Sequence, residues 1–287
     1  MGTPTGPLVP RTLLGRRLRE LRDAAGYTRA DAGKAVGASS SKIGRLERGG
    51  SGVDGELLLA LLLLYGLDDE TERARLLALA ARTDVPGWWA GFHDVLPPWT
   101  HRYLGAEQSA QLVRTFDAQM VPTLLQTPGY ARCIVRARHP RISERELDRR
   151  VEVRMRRRQI LRRRPRPTNL WAVVDEAVLH RRVGERAVMV EQLEFLLKEC
   201  QRPNITLQVV GFETGGLAAA TSGPLTLVRF LDWGLPDLLY LERLDGAVYP
   251  SDRAEIERHW HVFNTLVTEA KRPEFTPNII KRALHGM

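Results

Sequence analysis

The feature that most constrains this chain is the punctuation of residues 26–49, GYTRADAGKAVGASSSKIGRLERG. Thr28-Arg-Ala-Asp31 has the form of a capping box, in which the threonine hydroxyl accepts from the Asp31 amide and the Asp31 carboxylate reaches back to the Thr28 amide. A helix therefore starts at Arg29 and ends near Gly37, a residue that tolerates a left-handed backbone. Ser39 is placed to cap the next helix. By composition the run ASSSKIGRLERG (38–49) looks like a polar loop. With Ser39 as the cap, however, Ile43 and Leu46 share an inward face, while Ser40, Ser41, Gly44 and Arg45 share the opposite, outward face. Short side chains on that face let the helix approach a surface closely.

Helical signals surround this pair. Leu14, Leu18, Leu21 and Ala25 recur at helical spacing before Gly26, and Asp54–Tyr65 and Asp69–Arg82 read as two more helices. Residues 13–82 are thus expected to form a five-helix domain, with 1–12 as a disordered arm rich in Gly, Pro and Thr. The apolar run 57–65, LLLALLLLY, is about half of what a bilayer requires, so it reads as a buried helix. No export or lipid signal is visible, and two distant cysteines, Cys133 and Cys200, suit a reducing cytoplasm.

A Trp/Pro-rich stretch breaks the helical pattern, so 83–103 is expected to be a linker or interdomain segment. Residues 104–287 mix element types. Strand-like runs are 116–121, 170–175, 205–210, 224–231 and 237–242; helices are expected after Thr127-Pro128 and over 143–164, 185–200 and 253–271. This predicts an α/β domain with a small mixed sheet behind an all-α one.

The charge is unevenly spread. The net +9 comprises +3 in residues 1–82 (13 basic, 10 acidic), +11 in 132–166 (15 and 4) and −5 elsewhere (15 and 20). The 143–164 helix carries most of the excess, with Leu147, Val151 and Met155 on its inner side and Arg149, Arg150, Arg156, Arg157 and Arg163 expected outside. Such a face can hold DNA phosphates or an acidic partner, or simply be solvated.

Residues 26–49 resemble, without a gap, the helix-turn-helix of the phage-repressor-like (xenobiotic-response-element) regulators, through Gly26, Thr28, Gly37, Ser39, Ile43, Leu46, Glu47 and Gly49. The resemblance implies a second helix that enters the major groove, with Ser40, Ser41 and Arg45 facing bases and Arg29 and Lys42 on phosphates. It also implies a partly buried ion pair between Arg22 and Glu47. Gly33 and Gly44 depart from the pattern, each costing about 1 kcal/mol of helix propensity. Further on, VPTLLQTPGYAR (121–132), RMRRRQILRR (154–163), LWAVVDEAVLHRRVG (170–184), QRPNITLQVV (201–210), SGPLTLVRF (222–230) and LLYLERLDGAVY (238–249) resemble the C-terminal domain of a group of actinomycete regulators described as toxin-antitoxin-like or sporulation-associated. The implied protein is a cytoplasmic, homodimeric regulator of a double-stranded DNA operator that takes a protein or small-molecule signal. The alternatives are an effector receptor or enzyme with a pocket around Glu176 and Glu242, in which DNA binding is secondary, and an antitoxin-like protein whose main task is holding a small partner protein, for example an acidic one.

Other constellations are weaker. Glu176 and Glu242 end strand-like runs and, with Arg154 from the basic helix, can line an effector pocket or a degenerate active site; helix capping by Asp175 or Glu176 is the plainer reading. His259 and His261 diverge on a helix and lack a third ligand, so no metal is expected. The glycine-rich 211–224 segment lacks the Gly-Lys-Ser/Thr of a phosphate loop, and no nucleophile–base motif occurs. No cofactor, enzymatic activity or membrane association is expected.

Overall fold

The computed structural model describes residues 6, 8–214, 219, 223–230 and 235–287. The chain divides into two compact units whose sequence boundary falls between Gly91 and Phe92. Among the described residues, no helix is long and apolar enough to cross a membrane.

Among the described residues the first unit holds five helices: α1 Leu8–Ala24, α2 Arg29–Ala35, α3 Ser40–Glu47, α4 Gly55–Leu64 and α5 Glu70–Ala80. Four of them are capped by the side chain before them. Thr28 Oγ1 accepts from the Asp31 amide at 3.1 Å, Ser39 Oγ from Lys42 at 3.1 Å, Asp54 from Leu57 at 2.8 Å, and Asp69 from Thr71 and Glu72. The capping box closes differently from expectation: the Asp31 carboxylate accepts from the Thr28 hydroxyl at 2.6 Å rather than from the Thr28 amide. Leu14, Leu18, Ile43, Leu46, Leu58, Leu61 and Leu62 form the core, which accounts for the apolar run as the buried side of α4.

The structure bears on two expectations about the flanks. Residues 8–12 are not a disordered arm but the start of α1, with Val9 and Pro10 buried; proline is tolerated in a first turn, where no amide partner is needed. Residues 1–5 and 7 of that arm lie outside the described residues. Within 83–103, expected to be a linker or interdomain segment, Thr83 and Trp89 are buried, Trp88–Phe92 forms a 3-10 turn, and Thr100–Gln108 forms helix α6.

The second unit is an α/β domain around a mixed sheet that, among the described residues, has six strands in the order β3-β2-β1-β4-β5-β6. Its strands are β1 Ala110–Asp117, β2 Asn169–Asp175, β3 Ile205–Val210, β4 Leu225–Phe230, β5 Leu238–Arg243 and β6 Gly246–Val248. β1, β2 and β3 run parallel, and β4, β5 and β6 are each antiparallel to the strand before them in the sheet. β1 and β2 are joined through α7 Pro128–Arg138 and α8 Glu144–Arg158, and β2 and β3 through the short α9 Ala177–His180 and α10 Arg186–Glu199; α11 Arg253–Glu269 and α12 Thr276–His285 follow the sheet. On one face Phe116, Val173, Leu227 and Leu239 pack with Phe263 and Leu266 of α11. Coverage on both sides explains the near-continuous apolar runs of β2 and β3.

The first strand lies earlier than the expected 116–121. Arg114 interrupts its apolar alternation, yet it sits in the sheet because its guanidinium stacks 5.2 Å from the Trp171 ring and 4.3 Å from that of Trp260. The basic helix ends at Arg158 and passes into a 3-10 turn, Gln159–Leu161, short of the expected residue 164.

Candidate functional site

In the first unit the α2–α3 pair is held by close backbone approach. A Cβ on Gly33 would stand 2.6 Å from the Ala38 carbonyl oxygen, and one on Gly15 would stand 2.2 Å from that of Leu46. Gly33 is therefore a packing requirement, and its loss of helix propensity is the cost of seating α3 against α2. The end of α3 is closed by bonds from the Gly49 amide to the Leu46 carbonyl and from the Gly50 amide to that of Arg45, both 2.9 Å.

Glu47, 2 % exposed at its side chain, receives Arg22 Nε at 2.5 Å on one oxygen and Arg29 Nε at 2.8 Å on the other. Arg22 also donates to the Tyr27 carbonyl at 2.7 Å, so one guanidinium ties α1, the α1–α2 turn and α3 together. Burial pushes the Glu47 carboxyl up, but the hydrogen bonds from Arg22 and Arg29 outweigh it and hold the group below the usual carboxylate range.

With its inner side fixed, α3 presents Ser40, Ser41 and Arg45 to solvent and Lys42 half-exposed, while Ile43 and Leu46 are buried. Neither Lys42 nor Arg45 meets a carboxylate among the described residues. Two assignments change. Gly44 is not part of the open face: it is buried, with the Arg29 and Arg48 side chains over it. Arg29, expected on phosphate, spends its Nε on Glu47 and has only its terminal nitrogens to offer. Arg48, which sequence reading passed over, is exposed beside this face. Its signal is positional, four residues after a glycine whose missing side chain leaves it room.

In the second unit, the basic helix is mostly internally satisfied. Arg157, expected outside, points inward: it makes paired bonds of 2.8 and 2.9 Å to Glu107, which is fully buried, and its guanidinium lies 5.2 Å from the Tyr103 ring. Burial works against that charge, but Glu107 outweighs it and holds the Arg157 pKa well above the ordinary value. Arg163, also expected outside, donates to the carbonyls of Gln108, Ala110 and Arg166. Arg149 pairs with Asp94, Arg150 with Glu146 and Arg156 with Glu152. A charge-run count treats every arginine as solvated and misses partners distant in sequence.

A cavity of about 330 Å3 opens beside Arg157, lined by Tyr103 of α6, Val153 and Arg154 of α8, and Tyr240 and Glu242 of β5. A smaller recess of about 70 Å3 shares Tyr103, Arg157 and Glu242 with it and reaches Asp117 at the end of β1. β1 and β5 run in the same direction, so Asp117 and Glu242 both stand at the carboxyl side of the sheet, where open α/β sheets place their ligands. Arg154 and Glu242 share this cavity, as expected, but Glu176 does not line it. β2 and β5 are three strand spacings apart, about 14 Å. The Glu176 carboxylate instead accepts from the Phe212 amide at 3.0 Å and stands 3.8 Å from His180, while Asp175 bonds the Ala177 amide at 2.8 Å.

Compared with known proteins, residues 100–282 match the family described as Domain of unknown function (DUF5753), and residues 13–76 match a helix-turn-helix domain. No curated protein and no solved structure matches the chain.

Proposed function

We propose a function from the family the chain belongs to: it is a member of the DUF5753 family, whose shared domain is of unknown function, and it carries a helix-turn-helix domain in front of that domain. The function is sequence-specific transcription regulation of the xenobiotic-response-element type, in the cytoplasm and without an enzymatic step. The observation that carries this reading is the split of α3 into a buried, ion-paired inner side and an outer face of Ser40, Ser41 and Arg45 free to meet base edges. With only +3 over residues 1–82, one copy has few phosphate contacts to make, which favours a homodimer reading two half-sites about one helical turn apart. The second unit then serves dimerisation and reception of a signal, as the resemblance to the actinomycete regulators implies.

The antitoxin-like alternative would seat a small acidic partner on α8. Its arginines at 149, 150, 156 and 157 already hold carboxylates of this chain, which disfavours it. Selection of bound fragments from sheared DNA of the native host, followed by footprinting, tests the main reading. A protected twofold-symmetric site is expected, and recovery of fragments without a shared sequence would refute it.

A further inference from the structure

We propose that the cavity between α6, α8 and β5 binds a small planar organic monoanion of the arene carboxylate class, its charge on Arg154 and its ring along the edges of Tyr103 and Tyr240. The charges around the cavity are unevenly matched. Arg157 is held by Glu107, Arg138 by Glu242 at 2.8 Å, and Arg150 by Glu146 at 2.9 Å. Among the described residues Arg154 bonds no carboxylate: its side-chain partner, 2.8 Å from Nη1, is the neutral amide of Gln126, and Glu242, which lines the same cavity, acts on it only through space. Gln126 is itself fully buried and fixed, its side-chain amide donating to the Val121 carbonyl at 2.7 Å and its main-chain carbonyl accepting from Arg158 at 3.0 Å. The guanidinium, on a partly exposed residue, is thus held in place by a neutral group with no carboxylate bonded to it. Charges drawn out of water without a bonded counter-charge are rare because their desolvation is not offset. Burial, then the neighbouring Arg157, draws its pKa down to about 10, so it stays cationic at neutral pH and gains from an arriving anion.

The remaining walls select the body of the ligand. Tyr103 and Tyr240 are buried and stacked on each other at 4.1 Å with 21° between their planes, so they offer the cavity ring edges, and Val95, Leu96 and Val153 add apolar surface. A cavity of about 330 Å3 is at the small end of ligand sites and suits one or two fused rings. His139, whose pKa burial and then Arg150 pull down, adds no charge at neutral pH, and Asp245 stands at the exposed rim. One cation without a bonded carboxylate inside the cavity therefore fits one negative charge, where a doubly charged phosphate would leave an excess.

The ligand class rests on the reading of the second unit as a signal receiver only where DNA is concerned, so binding and DNA response are measured separately. Calorimetry on the full chain uses 1-naphthoate and benzoate as probes, with 1-naphthamide and phenyl phosphate as comparisons. We expect 1-naphthoate to bind about 10- to 100-fold more tightly than the neutral amide and more tightly than phenyl phosphate, and Arg154→Gln to erase the preference over the amide. Equal binding of acid and amide to the unmodified chain, tighter binding of phenyl phosphate, or no binding of either carboxylate at millimolar concentration would overturn the proposal, whatever the variant does. Operator affinity is then measured with and without 1-naphthoate. Binding that leaves that affinity unchanged upholds the ligand class and removes the signal-receiving role.

Discussion

Arg22 Nε and Glu47 Oε1 lie 2.5 Å apart, joining residues 25 positions apart in sequence inside the first unit, and the Arg29 side chain closes on the second carboxylate oxygen. This three-residue knot fixes the angle at which α3 leaves α1, so its removal tests whether the outer face of α3 depends on it. Glu47→Gln is expected to destabilise the first unit by about 3 kcal/mol or more, since buried Arg22 loses its buried partner and keeps only the half-exposed Asp23 carboxylate at 2.6 Å. The pH dependence has a definite sign. The folded pKa of Glu47 is depressed, so its contribution is present above the ordinary value of 4.5 and is lost as pH falls through the lower folded value. Urea denaturation of both proteins from pH 7 downward should show the variant losing less stability on acidification. Parallel acid limbs would sink the assignment.

Two glycines of the same motif are expected to respond oppositely to alanine. At Gly33 the new Cβ meets backbone, 2.6 Å from the Ala38 oxygen, so α2 and α3 must separate and about 1–3 kcal/mol should be lost. At Gly44 the nearest atom is the mobile end of Arg48 at 3.2 Å, which can move aside, leaving a gain in helix propensity of up to about 1 kcal/mol. Thermal unfolding of Gly33→Ala and Gly44→Ala checks the contrast, and equal shifts would contradict it.

The helix caps were legible because they are local: Thr28, Ser39, Asp54 and Asp69 each bond amides two or three residues on. The strand ends were legible as strand ends, but not which of them converge. Glu176 and Glu242 look equivalent in sequence, and only the order β3-β2-β1-β4-β5-β6 separates them. Polar residues with distant partners were misread for the same reason. Arg114 hides β1 because its aromatic neighbours lie in β2 and α11, and Arg157 reads as exposed because Glu107 is 50 positions away. Helices α6 and α12 were missed as well: the Trp/Pro run obscures the start of the first, and the second is a short amphipathic helix at the end of the chain.

The buried pair in the second unit makes a further prediction. Arg157→Met leaves the Glu107 carboxylate, which has no exposed surface, with only the Tyr103 hydroxyl at 2.7 Å, and should cost about 3–5 kcal/mol. Replacing both, Arg157→Met with Glu107→Leu, should recover most of that loss, because the desolvation of two charges is removed together with their attraction. Chemical denaturation of the two single variants and the double one measures the coupling. A double variant as unstable as the sum of the singles would show that the two residues act independently.

The reading face and the gripping residues of α3 separate by salt. Arg45 lies on the open side without a carboxylate partner, so Arg45→Ala should cost about 1–3 kcal/mol on the selected operator and change affinity for random DNA little. Lys42 sits at the flank of the same helix, so Lys42→Ala should weaken both DNAs alike and flatten the salt dependence by about one unit of slope. Arg29 is unsuited to this comparison, since truncating it also removes a bond to Glu47 at 2.8 Å and confounds grip with stability. Arg156, on α8 in the second unit, pairs with Glu152 at 2.6 Å and serves as the reference. Arg156→Gln should leave the slope where it was, because a cation neutralised within its own helix releases no counterions from DNA. The measurement is operator and random-DNA affinity over a salt series for the three variants. If Arg45→Ala leaves the affinity ratio unchanged, the outer face of α3 is not what reads the sequence. If Arg156→Gln flattens the slope, the basic helix of the second unit reaches the phosphate backbone after all.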